Sequence, residues 1–211
     1  MFDSSFRSEL TMKRIAAVLA TSGVLLLGSA GVAHADTHST PVDGGCGGGY
    51  VAPALSTHLT YGTARWNTGA DPDDGTLGIV APRAWSFVRT PQGEGRFHSK
   101  SGLNLLSLRT VTSAGTPAAL MAAQVRQLAG TSGLKIVGQH TTVVGAQTMS
   151  TLAYQYTSMG EPRTVKVRWI AFGTDPGAEA LLVLTVAGRP LDGKGLDAML
   201  AHVTPTVTLA G

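Results

Sequence analysis

Three strand-like stretches joined by short turns constrain this chain more than any other feature. The stretch "TLAYQYTS" (151–158) alternates Leu152, Tyr154 and Tyr156 against Ala153, Gln155 and Thr157. The stretch "RTVKVRWIAF" (163–172) alternates Val165, Val167 and Trp169 against Thr164, Lys166 and Arg168. The third, "EALLVLTVAG" (179–188), is almost continuously apolar, as a strand covered on both faces would be. The linkers "MGEP" and "TDPGA" carry turn chemistry. Period-two segments joined this way predict an antiparallel meander.

The rest of the chain extends this pattern. "LKIVGQHTTVVGA" (134–146) reads as a further strand. "TPAALMAAQVRQLAG" (116–130) is the clearest helix: Thr116 is an N-cap, Pro117 takes the first helical position and Gly130 is a stop. Leu120, Ala123, Val125, Leu128 and Ala129 form its apolar face. Upstream, "LTYGTARW" (59–66) alternates weakly. "DPDDG" (71–75) is a turn, and "TLGIVAPRAWSFV" (76–88) is a strand broken at Pro82. "GRFHSKSGLNLLSLRTV" (95–111) reads as two short strands around Ser101-Gly102. A second helix runs from about Asp192 to Val203, with Leu196, Met199, Leu200 and Val203 as its stripe and Pro205 beyond its end. Strands, helix, strands, helix predict an α+β fold, an antiparallel β-sheet flanked by helices.

The N-terminal quarter reads differently. Arg7, Lys13 and Arg14 precede the apolar run "IAAVLATSGVLLLGSAGVA", and Ala33-His34-Ala35 is a small-x-small cleavage site. This predicts a signal peptide over 1–35 and export, with Met1 or Met12 as the start. No later segment is long and apolar enough to span a bilayer, so no transmembrane segment is expected after cleavage. Residues 36–57 are rich in Gly, Ser, Thr and Pro and predict a flexible tether, leaving 58–211 as a single α+β domain. Cys46 is the only cysteine, within "GGCGGGY". Asp43, three residues before it, is wrong for a lipidation box. A free thiol or a Cys46 disulfide dimer remain open.

Composition excludes some functions. The chain has 16 Lys and Arg against 13 Asp and Glu, scattered rather than striped, so no nucleic-acid partner is expected. "GRPLDGKG" (188–195) follows a strand and precedes a helix like a phosphate loop. Gly195 stands where a Ser or Thr must hold magnesium, and Pro190 removes a backbone donor, so a plain loop is the better reading. "DPDDG" lacks the closing Glu of a calcium loop: position twelve, counted from Asp71, is Pro82. No metal-ligand spacing and no G-x-S-x-G elbow occur, and no cofactor is expected. His58, His98, His140 and His202 have no acid at local spacing; Glu94, Glu161, Asp175 and Glu179 are the carboxylates available for glycosidic work, and the last three read as solvated loop charges.

The order of elements, "LGIVAPRAWSF", then "FHSKSGLNLLSLRTV", a helix, "GLKIVGQHTTVVGAQT", and three strands before a closing helix, resembles the PsbP-like α/β/α sandwich in the actinobacterial branch of secreted LpqN-type proteins. The resemblance covers about residues 59–211. It implies a non-catalytic adaptor or binder of the cell envelope and carries over no catalytic residue. The expected function is therefore a secreted binding or adaptor module for a protein or a small apolar ligand. Trp66, Trp85, Tyr154, Tyr156 and Trp169 are the surface or pocket candidates. The rival is a secreted hydrolase with His98 or His140 as base and a distant Ser. A histidine within hydrogen-bond reach of Ser and carboxylate would favour the rival.

Overall fold

The computed structural model describes residues 52–69 and 75–210. The signal segment, Cys46, most of the tether and Asp71–Asp74 of the turn, with the calcium reading placed on it, lie outside the described residues. Strands β1 (Tyr61–Asn67), β2 (Thr76–Pro82), β3 (Ser86–Arg89), β4 (Gly95–His98) and β5 (Leu105–Thr110) precede helix α1 (Pro117–Leu128). Strands β6 (Lys135–Val144), β7 (Gln147–Ser158), β8 (Glu161–Phe172) and β9 (Leu182–Gly188) follow, then helix α2 (Gly193–Val203) and strand β10 (Thr208–Ala210). The strands form two antiparallel sheets, one of three strands in the order β1-β2-β10 and one of seven in the order β3-β4-β5-β9-β8-β7-β6. The meander expected from the alternating segments is β6 through β9, each paired with the next.

Local chemistry accounts for the helices. Thr116 accepts a hydrogen bond from the Ala119 N–H at 3.2 Å, and Pro117 opens α1. Gly130 beyond its end has φ +88°, a conformation glycine adopts without strain. Leu120, Met121, Val125 and Leu128 of α1 pack against Leu152, Tyr154, Val165, Val167 and Val183. Ala129, expected on that face, is exposed instead, because the helix has already ended at Leu128. The whole expected stripe of α2, Leu196, Met199, Leu200 and Val203, is buried with Met149, Ile170, Leu182, Leu184 and Val186. Side chains alternate along a strand. Val183 in one cluster and Leu184 in the other therefore point to opposite faces of the large sheet, so α1 and α2 pack on opposite faces.

The expectation of one sheet needs correction. The second, three-stranded sheet joins the α2 side of the core through Trp66, Leu77, Ile79 and Ala81. It is completed by β10, a three-residue strand after Pro205 that no sequence pattern marks. The small sheet is held close to the β3–β4 turn: a Cβ on Gly95 would lie 2.3 Å from the Trp66 ring. On the α2 side, the β6 edge of the large sheet is mostly exposed.

Candidate functional site

That exposed edge borders an open groove of about 550 Å³. Val144, Gly145, Ala146 and Gln147 of the β6–β7 hairpin line one side, and Ala201, Thr204 and Pro205 at the end of α2 line the other. Met149, Arg168 and Phe172 form the floor between them. Val144 is 59 % exposed and Phe172 39 %, so the groove presents large apolar side chains to solvent. The volume falls within the range of small-ligand sites, and the lining is mostly apolar with few polar groups, as such sites are.

Arg168 is the only charged residue in the lining. Its Nε donates to Thr151 Oγ1 at 2.9 Å, and a terminal nitrogen donates to Thr204 Oγ1 at 2.6 Å. The Thr204 hydroxyl donates in turn to the Leu200 carbonyl at 2.6 Å, which aims its lone pair at the guanidinium. Burial lowers the Arg168 pKa, and the charge of Asp197 works against that shift. Asp197 itself is ion-paired with Lys166.

The five aromatic candidates do not converge. Trp66, Tyr154 and Trp169 are buried core residues. Trp66 donates its indole N–H to the Gly93 carbonyl at 2.9 Å and packs on Phe87 and Phe97. Tyr154 lies 6.0 Å from Tyr156 between sheet and α1, and burial, with the neighbouring Tyr156 adding to it, pushes its phenol up to about 12. Tyr156 is half-buried in the same cluster. Trp85 faces a separate, smaller depression of about 250 Å³, beside Pro82, Arg83 and Phe97.

The histidines are also dispersed. His140 pairs across the sheet with Thr151, which pairs with Arg168 and through it with Leu184 of the α2-side core. His98 pairs with Leu105 and then Ala187, which packs on the α1 side. The two therefore face opposite sides of the sheet. His202 stacks on Tyr61 with ring centroids 4.1 Å apart. Among the described residues, no histidine ring hydrogen-bonds a serine or carboxylate, and no three His, Cys, Asp or Glu side chains gather as metal ligands.

The phosphate-loop look-alike has a structural role. Asp192 is fully buried and accepts five hydrogen bonds: from the Leu55 N–H, the Asn104 amide, and the backbone N–H, Nε and a terminal nitrogen of Arg189. Arg189 also donates to the carbonyls of Ala52 and Pro53 at 2.9 and 2.6 Å. Residues 52–55, expected within the tether, are thus fastened to the domain, because two charged side chains satisfy their backbone groups. Gly195 is glycine for the same reason. A Cβ there would lie 2.4 Å from the Leu55 carbonyl oxygen. Gly195→Ala is therefore expected to lift residues 52–55 off α2 and cost about 1–3 kcal/mol. Limited proteolysis would show faster cleavage near Leu55 than in the wild-type chain.

With the groove described, comparisons with known proteins can be read against it. No family model matches the chain, and no curated protein matches it. Among solved structures, the chain is similar to LpqN of Mycobacterium tuberculosis, a protein involved in cell envelope biogenesis. The identity is 17 % over 71 % of this chain and 92 % of that one, with a TM-score of 0.49. It is also similar to cyanobacterial PsbP, CyanoP, from Synechocystis, at 15 % identity over 79 % of this chain and 98 % of that one, TM-score 0.46. These are the two kinds of protein that the order of elements resembles. At such identities, and with TM-scores below 0.5, neither likeness says anything of ligand or partner.

Proposed function

We propose that this chain is an exported, non-catalytic binding module whose α/β/α sandwich holds a small apolar ligand in the groove between α2 and the β6–β7 hairpin. One observation carries the reading: an open groove of about 550 Å³ in which Val144, Met149, Phe172, Ala201 and Pro205 surround a single charged group. Burying a ligand there removes exposed apolar surface from water, which supplies the driving force. No helix of the described residues is long and apolar enough to cross a membrane. Trp85 stays a secondary candidate because its depression, about 250 Å³, is less than half the volume of the groove.

The test uses N-phenyl-1-naphthylamine, a neutral apolar dye that brightens on leaving water. Ala201 is exposed on the helix and has room for a larger side chain. Ala201→Trp is expected to fill the groove, leave the fold intact and weaken dye binding at least about tenfold. Unchanged dye binding in that variant would place the ligand elsewhere.

A protein-adaptor reading has its own support. Strand β6 is an edge strand of ten residues, and Val137, Val143 and Val144 on it are 57 %, 48 % and 59 % exposed. An open apolar edge is a pairing template. This reading expects Val143→Lys to abolish partner capture while dye binding persists.

A further inference from the structure

The proposed groove contains a cation with no carboxylate on it. Among the described residues, the ion pairs are Arg96–Glu94, Lys166–Asp197 and Arg189–Asp192; Arg168 belongs to none. Its two side-chain partners, Thr151 and Thr204, are neutral hydroxyls. A guanidinium has five N–H donors, so these two bonds leave others free. A half-buried charge without a counter-ion carries a desolvation cost that an incoming anion would relieve. The negative charge acting on it, Asp197, is already engaged by Lys166.

The rest of the groove fixes the ligand's other end. Val144, Met149, Phe172 and Pro205 offer no charged partner, so whatever lies along them must be apolar. We infer that the groove takes a single-chain amphiphile with a monoanionic head, its carboxylate on the Arg168 guanidinium and its hydrocarbon tail along Phe172, Val144 and the end of α2. The inference rests on the groove being the binding site. A single guanidinium matches one negative charge in a bidentate pair. A dianionic phosphate head would leave one charge uncompensated in a half-buried site.

Displacement of N-phenyl-1-naphthylamine from the full-length chain separates the claims. Dodecanoate, dodecanol and dodecyl phosphate share one tail and differ in the head. Dodecanoate is expected to compete about tenfold more tightly than dodecanol. That advantage should vanish in Arg168→Met and return in part in Arg168→Lys, which keeps the charge but loses the fork. Should Arg168→Met fail to fold, Arg168→Lys and salt carry the test: added sodium chloride should weaken dodecanoate and leave dodecanol unchanged. Equal competition by dodecanoate and dodecanol, both sensitive to Ala201→Trp, would overturn the anionic head and leave the groove standing. Tighter competition by dodecyl phosphate than by dodecanoate would overturn the monoanion. No competition by any of the three, or competition indifferent to Ala201→Trp, would overturn the groove reading and this inference with it.

Discussion

Replacing Asp192 with alanine is expected to cost about 3–5 kcal/mol of folding free energy, enough to unfold a marginal domain near physiological temperature. The carboxylate is fully buried and accepts five hydrogen bonds. Alanine removes every acceptor at once. The Asn104 amide and the Arg189 guanidinium lose their partner, and the Leu55 N–H is left unsatisfied. The Arg189 contacts to Ala52 and Pro53 lose their anchor, so the N-terminal segment should detach as well. Chemical denaturation reads this as a large fall in urea midpoint. The same carboxylate predicts a pH dependence. Burial pushes its pKa up, but the Arg189 side chain, the backbone N–H groups of Arg189 and Leu55 and the Asn104 amide outweigh that and hold it below the usual 3.8. A carboxyl with a lowered folded-state pKa stabilises fully above the unfolded value. Its contribution is lost as pH falls below 3.8 and through the folded value. Asp192→Asn should lose this part of the acid sensitivity while keeping the side-chain shape.

Leu184→Ala is expected to cost about 3 kcal/mol, within the range of leucine truncations that leave a cavity. Leu184 is wholly buried on β9, the strand between β5 and β8. It packs in the same cluster as Leu196, Met199, Leu200 and Val203 of α2. The strands on both sides hold the backbone, so the site cannot collapse to fill the void. Val144→Ala, on the groove rim and 59 % exposed, should change stability by no more than about 0.5 kcal/mol. Urea midpoints of the two variants separate the core from the rim directly.

The parts of the fold legible in the sequence are those written in neighbouring residues. Thr116 and Pro117 mark the start of α1 because capping is a local event. Strands β7 and β8 are legible because Leu152, Tyr154, Val165, Val167 and Trp169 recur at period two. The place of β5 beside β9, and of β10 beside β2, is not, because those pairings join segments far apart in the chain. The groove fails for the same reason. Val144, Phe172, Ala201 and Pro205 come from separate elements and share no motif. Arg168 alternates with Val167 and Trp169 and so reads as an ordinary solvent-facing position, yet α2 packs over that side of the sheet and half-buries it. Size misled in the other direction. Trp66, Tyr154 and Trp169 look like contact residues because they are large, and large apolar surface is what a core recruits first. The "GRPLDGKG" sequence has the outline of an anion loop, but its anion is its own Asp192.

The central claim is that the groove binds an apolar ligand, and amide NMR tests it most directly. The full-length chain would be titrated with N-phenyl-1-naphthylamine and its assigned amide peaks followed. Saturable shifts confined to the amides of residues 144–149, 168, 172 and 201–204 are the predicted result. Shifts clustered at Arg83 and Trp85 instead, or no saturable shift at all, would contradict it.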